Sequence, residues 1–238
     1  MPAMNFDPPL VRAKILKRYK RFLADVQLEN GDMMTVHVPN TGAMTSCWEP
    51  NWECALSKSD NSKRKYAYTL EMTHNFKTWI AVNTSLTNRL VEEFIEDQII
   101  EELKGYRNCD REQFSPIGES KFDFFLSGHD SSGDCYLEVK NVTLLGNEGE
   151  ALFPDAVSTR AMKHVNELTE LAQMGFRSVL LFLVQREDVE FFSPAISIYP
   201  EYAAALWDAE ECGVEVLAYQ TKISPKGIHL GEKLSLRY

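Results

Sequence analysis

Two stretches decide the fold of the second half of the chain: Lys121-Phe122-Asp123-Phe124-Phe125-Leu126 and Cys135-Tyr136-Leu137-Glu138-Val139-Lys140. Both are rich in aromatic and aliphatic residues, and the connector 127–134 contains two glycines, so we predict an antiparallel hairpin. Side chains alternate across a strand, which places Glu138 and Lys140 on one face. Asp123 lies among phenylalanines, and charged groups in such surroundings are usually paired or bound to a cation.

The hairpin predicts a metal site. Asp123 and Glu138 lie on adjacent strands and are expected to converge on one point. Carboxylate oxygens are the ligands that Mg²⁺ prefers, and we expect Mg²⁺, or Mn²⁺ in its place, as the cofactor. Lys140 beside that metal would orient or deprotonate an attacking water, which predicts metal-assisted phosphodiester hydrolysis. The alternative is a solvated amphipathic strand that carries a Glu–Lys surface pair.

The segments around the hairpin have the pattern of an α/β domain. Helices are predicted over 86–103, 154–174 and 200–212, the second with Pro154 in its first turn and Asp155 at its positive end. Strands are predicted over 113–116, 121–127, 135–143, 178–185 and 214–221. This order indicates a mixed sheet flanked by helices.

Two of the helices supply further candidate residues. Glu102 falls at the centre of the apolar face of the first helix and is our geometric choice for a third acidic residue of the site; the alternative is that the helix frays near Gly105 and leaves Glu102 exposed. On the second helix, Arg160 and Lys163 are candidates for phosphate contacts, and His164 lies on the inward face. A core-edge histidine beside ordinary surface cations would give the same pattern.

The N-terminal part has a different pattern. Short runs of β-branched and aromatic residues, separated by turn sequences, predict six strands: 11–16, 21–28, 33–38, 53–58, 66–73 and 79–82. Such short strands in so few residues indicate a small closed barrel of the OB type. We therefore divide the chain into an OB-like barrel at 1–84 and an α/β domain at 85–238.

Basic residues of the barrel are interleaved with aromatic ones. Arg18, Lys20 and Arg21 adjoin Tyr19 and Phe22, and a second cluster, Lys63-Arg64-Lys65, precedes Tyr66. Cations that follow a phosphate backbone and rings that stack on bases are typical of a nucleic-acid groove. The prediction is a DNA-binding barrel; a solvated strand surface over core aromatics is the alternative.

Composition and charge limit the classes of protein to which this chain can belong. The 238 residues carry a net charge of −10, divided as +3 over 1–87 and −13 over 88–238. No apolar run approaches a membrane span, and the start lacks the basic and apolar pattern of a signal peptide. Five widely spaced cysteines without a CxxC pair indicate reduced thiols, and we expect a cytoplasmic protein.

Several long blocks resemble one known family over nearly the whole chain. They are Arg18–Phe22, Pro39–Met44, Ser59–Tyr66, Val82–Thr84, Asn88–Leu90, Glu138–Lys140 and Phe153–Val157, which look like the signature blocks of the sugar fermentation stimulation protein family, SfsA. The resemblance implies an OB-like domain joined to a domain of the PD-(D/E)xK nuclease fold, similar to restriction endonucleases. It also implies DNA binding with little sequence preference and a link to maltose-utilisation genes.

Carried over to this chain, the resemblance makes Asp123 the motif aspartate and Glu138 and Lys140 the ExK pair. One departure is Phe122, which stands where the motif has proline. Three functions follow as hypotheses: a Mg²⁺-dependent DNA nuclease, a non-catalytic DNA-binding regulator of sugar metabolism on a nuclease-like scaffold, and an oligosaccharide-binding barrel.

Overall fold

The alternating residues of the N-terminal part form strands that close on themselves. The structure, a computed structural model, describes residues 3–118 and 120–238. After β1 (Ala3–Asn5), the barrel strands are β2 (Val11–Tyr19), β3 (Leu23–Leu28), β4 (Met33–His37), β5 (Glu53–Lys58), β6 (Tyr68–His74) and β7 (Trp79–Ala81). β2 pairs with both β3 and β5, and a parallel contact between His37 and Thr69 joins β4 to β6. The five strands β2–β6 therefore form the closed OB barrel that the sequence predicts.

The second part of the chain forms a seven-stranded mixed sheet. Its further strands are β8 (Asn108–Phe114), β9 (Lys121–Ser127), β10 (Cys135–Val142), β13 (Arg177–Val184), β15 (Glu215–Ser224) and β16 (Gly227–Lys233), in the order β1-β16-β15-β13-β10-β9-β8. The three central strands β10, β13 and β15 run parallel, and β9 pairs antiparallel with β10 as predicted. β1 thus lies in this sheet, although it precedes the barrel in the chain.

A smaller sheet lies beside it. Its strands are β11 (Leu144–Leu145), β12 (Glu150–Phe153), β14 (Phe191–Pro194) and β17 (Ser235–Leu236). None of these four strands is predicted from the sequence, because strands of two to four residues are too short to show a periodic pattern.

Three α-helices cover the two faces of the larger sheet. α1 (Thr87–Glu96) packs on one face with barrel residues such as Met72 and Ala81, whereas α2 (Thr159–Gln173) and α3 (Pro200–Glu211) pack on the other. The mixed sheet flanked by helices is confirmed. Among the residues that the structure describes, no helix is long and apolar enough to cross a bilayer.

The helix boundaries correct two predictions. The first helix ends at Glu96 rather than at Leu103; Gln98 follows with a φ of 55°, and only a short 3₁₀ turn, Glu101–Leu103, comes after it. The second begins at Thr159, because the Ser158 side chain caps it by accepting a hydrogen bond from the Ala161 N–H. Pro154 follows a cis peptide bond outside the helix, so neither Pro154 nor Asp155 lies in its first turn.

A buried arginine joins the two parts. Arg186 has no exposed surface; it forms a two-pronged ion pair with Asp188, and its Nη1 donates to the Thr143 carbonyl oxygen at 2.8 Å and to Ser46 in the barrel. Asn75 of the barrel donates to the same aspartate at 2.7 Å. These contacts fix the barrel against the end of β13.

Candidate active site

Asp123 lies where β9 separates from β10. Regular pairing ends at Phe124 and Leu137, and beyond that point the Asp123 carboxylate takes the place of the missing backbone partner: its Oδ2 accepts the Val139 N–H at 2.8 Å. Its Oδ1 accepts from the Asn88 side chain on α1 at 2.6 Å. The polar residue that α1 contributes is therefore an asparagine, which the sequence analysis did not consider as a site residue.

Glu138 is buried on the face of the sheet that α2 covers. Its Oε1 accepts from the Lys140 Nζ at 2.6 Å and contacts the His164 Nδ1. Only 3% of the Glu138 side chain is exposed. Its other oxygen, Oε2, is buried and has no hydrogen-bond donor among the residues that the structure describes. One carboxylate oxygen of Glu138 thus has two partners, and the other has no hydrogen-bond donor among the described residues.

The two carboxylates influence each other. Burial raises the pKa of Asp123, and the negative charge of Glu138 raises it further. Burial also opposes ionisation of Glu138, but His164 and Lys140 outweigh it and hold its pKa below the usual value. Glu138 is therefore ionised at neutral pH, and its negative charge opposes the ionisation of Asp123. A cation near both oxygens would remove this repulsion.

The donor set fits a cation that keeps much of its water. In the described part of the chain, no group of three His, Cys, Asp or Glu side chains is arranged to hold a metal ion. The Asp123–Glu138 pair supplies two carboxylates, which is the number that Mg²⁺ commonly takes. The open Glu138 Oε2 is an oxygen ligand without another bond.

Glu102 is not part of this site. Its Oε2 accepts from the Tyr219 hydroxyl at 2.7 Å and its Oε1 pairs with Lys233. Tyr219 belongs to the core under α1, whereas Glu138 points to the face under α2, so the sheet separates the two acidic residues. The helix prediction placed Glu102 wrongly because the α-helix ends six residues before it.

Arg160 and Lys163 line a groove next to the carboxylates. Together with Ser120, Lys121, Thr159 and His164, they enclose about 420 Å³. Arg160 and Lys163 are exposed, and Lys163 makes only a loose ion pair with Glu167, at 3.6 Å. Because His164 contacts Glu138 and also lines the groove, these two cations lie near the candidate metal ligands, and their contact with phosphate stays a prediction.

Arg18 has a different role from the one predicted. Its guanidinium donates to four carbonyl oxygens, those of Asn40, Gly42, Ala43 and Arg21, at 2.7–3.1 Å. It therefore holds the loop after β4 in place and is not free to contact phosphate.

The other barrel cations that we predicted to bind nucleic acid are exposed and lie at one end of the barrel. Lys20 and Arg21 form the turn between β2 and β3, and Arg64 reaches the Thr69 hydroxyl at 3.3 Å. His37 links the two clusters: it pairs with Leu23 next to the turn, and burial together with the charge of Arg64 lowers its pKa. Lys63 and Lys65 lie in the same loop as Arg64 and are exposed.

A polar pocket of about 190 Å³ lies between the barrel and the sheet. Barrel residues Asn40, Thr41 and Gly42 face Asn141, which follows Lys140 in β10, and Asp155. Thr87 at the start of α1 donates to the Asn141 side chain at 2.9 Å. Asn141 was missed by the sequence analysis, since an asparagine at the end of a strand has no distinctive pattern.

Comparison with known proteins follows the two structural parts. A family model described as the SfsA N-terminal OB domain matches residues 16–82, and one described as the sugar fermentation stimulation protein RE domain matches residues 85–227. A sugar fermentation stimulation protein homolog of Geotalea daltonii is 47% identical over 97% of this chain and 98% of its own length. One from Shewanella sp. strain MR-7 is 47% identical over 98% and 100%.

A solved structure shares the whole architecture. Pyrococcus furiosus SfsA, described as a complex with Ca²⁺, superposes with a TM-score of 0.87 at 26% sequence identity, and the match covers 100% of both chains.

Proposed function

Since this chain belongs to the sugar fermentation stimulation protein family, we propose that it binds DNA with little sequence preference and hydrolyses its phosphodiester bonds with the help of a divalent cation. One observation carries the proposal: the open, buried Glu138 Oε2 lies in a site with Asp123, whose pKa is raised, and with the ammonium group of Lys140. A buried carboxylate oxygen without a donor costs free energy that a bound cation would offset.

Asp123 and Glu138 are the residues that would hold Mg²⁺ or Mn²⁺. The cation would supply Lewis-acid stabilisation of the charge that develops on the phosphate. The description of the Pyrococcus furiosus protein as a Ca²⁺ complex supports this choice, because Ca²⁺ and Mg²⁺ both prefer oxygen ligands.

The remaining polar groups hold these ligands and the substrate. Lys140 and His164 fix the orientation of Glu138, and the Lys140 ammonium lies where it can also position a water or a phosphate oxygen. Arg160 and Lys163 would hold a neighbouring phosphate in the groove. The exposed cations Lys20, Arg21 and Lys63–Lys65 would bind the backbone farther along the strand.

The test is incubation of the purified protein with single-stranded and circular duplex DNA in Mg²⁺, Mn²⁺ or EDTA. Cleavage that needs the metal should disappear in Glu138→Gln and in Lys140→Met. The chain offers a matched control, because Glu102-Leu103-Lys104 repeats the acidic-x-Lys spacing outside the site. Glu102→Gln and Lys104→Met should therefore cleave like the wild type. Cleavage that survives in Lys140→Met would contradict the role given to that lysine.

A second candidate function is DNA binding without cleavage, as a regulator of sugar (maltose) metabolism genes. The ion pair between Lys140 and Glu138 favours it, because a lysine held by this glutamate is not free to activate a water. The name of the relatives, sugar fermentation stimulation protein homolog, also favours it. Affinity for DNA that falls steeply with salt, with no cleavage in any metal, would support it. Affinity that does not change with salt would exclude it.

A further inference from the structure

An aromatic side chain is exposed at the edge of the larger sheet. Phe114 is the last residue of β8, the outermost strand, and 64% of its surface is accessible. Its partner across the strands is Lys121, whose Nζ lies 4.7 Å from the centre of the ring. The ring belongs to none of the three apolar cores, so packing within the chain does not explain it.

The same lysine connects the ring to the basic groove. Lys121 lines the groove together with Arg160, Lys163 and His164, and His164 contacts Glu138. The ring therefore lies at the margin of the groove that the proposed function assigns to phosphates. A row of cations with an aromatic ring beside it is the usual composition of a site for single-stranded nucleic acid.

An exposed ring at this position would distinguish unpaired from paired DNA. In a duplex, the faces of the bases are covered by their neighbours, so a side chain at the outer edge of a rigid sheet meets only phosphates, sugars and base edges. An unpaired base can turn its face to the ring, and stacking on an aromatic side chain is tolerant of sequence. A requirement for unpaired bases therefore agrees with low sequence preference.

We propose that Phe114, backed by Lys121, stacks on an unpaired nucleobase of a DNA strand whose phosphates lie in the groove of Lys121, Arg160 and Lys163. The chain then acts on single strands or on unpaired ends. This inference rests on the proposed function for the identity of the ligand and deepens it by naming the class of DNA.

The test measures binding without cleavage. A single-stranded oligonucleotide containing 2-aminopurine, and a duplex of the same sequence, are titrated with the protein in EDTA. Phe114→Ala should weaken single-strand affinity about fivefold or more, as expected for the loss of one base–aromatic stack, and should leave duplex affinity unchanged. Phe114→Trp should retain wild-type affinity. The control is Phe76→Ala, since Phe76 is 77% exposed in a barrel loop and is not one of the residues that line the groove.

A second variant separates stacking from charge. Lys163→Ala should weaken single-strand and duplex binding alike and reduce the slope of log affinity against log salt by about 0.7–0.9, whereas Phe114→Ala should leave that slope unchanged. Single-strand affinity of Phe114→Ala equal to that of the wild type would overturn the proposal, and so would equal losses for both forms of DNA.

Failure of this inference can be told from failure of the proposed function. Metal-dependent hydrolysis of a small diester, bis(p-nitrophenyl) phosphate, needs no base and should be the same in Phe114→Ala and the wild type. Hydrolysis with unchanged single-strand affinity in the variant overturns only the stacking role. A selective loss of single-strand affinity, in a protein that hydrolyses no diester, overturns only the nuclease.

Discussion

Replacing Asp123 with asparagine should abolish the response of the protein to divalent cations without unfolding it. The substitution keeps the size of the side chain and its oxygen acceptor for the Val139 N–H. The side-chain amide of Asn88 can rotate by about 180° so that its oxygen accepts from the new amide group. Both hydrogen bonds of the Asp123 side chain are therefore replaced in the variant. What is lost is one of the two carboxylates that we assign to the cation.

The size of the effect follows from binding linkage. A cation present at about 100 times its dissociation constant stabilises the folded state by about 2.7 kcal/mol. For a chain of 238 residues, each kcal/mol changes Tm by about 2–4 °C. The wild type should therefore gain about 5–11 °C on saturation, and Asp123→Asn should gain nothing. Without metal, the variant should melt at the wild-type temperature or above it, because ionised Asp123 is opposed by burial and by Glu138.

The assay is thermal unfolding in EDTA, in Ca²⁺ and in Mg²⁺, followed by calorimetry or intrinsic fluorescence. Glu102→Gln is the control, since it removes a carboxylate bonded to Tyr219 and Lys233 outside the site. It should lower Tm in EDTA and keep the full metal-induced shift. A wild-type Tm that does not respond to either cation, or an equal shift in Asp123→Asn, would refute the assignment of the metal ligands.

Three further predictions concern the rest of the chain. Burial raises the pKa of Glu71, so the folded state holds a proton that the unfolded chain releases. The unfolding free energy of the wild type should therefore fall as pH rises above about 4.5. Urea titrations of Glu71→Gln from pH 5 to 8 should lack this slope, and curves parallel to those of the wild type would contradict the prediction. Arg186→Met should cost about 3–5 kcal/mol in the same titrations because it removes the buried cation that pairs with the half-buried Asp188, whereas loss of the exposed pair of Arg89 should cost under about 1 kcal/mol; a loss in Arg186→Met as small as in Arg89→Met would contradict the anchor. Lys20→Ala should lower DNA affinity and its salt slope by about 0.7–0.9 at an unchanged Tm, whereas Arg18→Ala should lower Tm because four carbonyl oxygens lose their donor; the opposite pattern would reverse the two roles.

The parts of the site that could be predicted are those set by local alternation. Glu138 and Lys140 are two residues apart in a strand, so their common face follows from the period of the backbone, and the structure joins them at 2.6 Å. The hairpin around them was predictable for the same reason. Its antiparallel register, continued from the pair of Phe124 and Leu137, brings Asp123 next to Glu138 without any long-range information.

The parts that could not be predicted depend on where elements end and on distant partners. Glu102 was assigned by extending a helical period beyond Asp97, but the chain turns at Gln98 and the period no longer applies. The partner of Glu102 is Lys233, 131 residues away, and no local pattern reports such a pair. Arg18 was assigned from charge alone, although its position beside the loop after β4 gives it four backbone acceptors.

The two oxygens of Glu138 are used unequally. A buried glutamate with a purely structural role is expected to satisfy both oxygens, since an unsatisfied buried acceptor costs about 1–3 kcal/mol and more when it is charged. Here Lys140 and His164 both bind Oε1, and no donor in the described part of the chain binds Oε2. A cation bound with Asp123 would offset that cost, which is the physical reason for proposing a metal at this position.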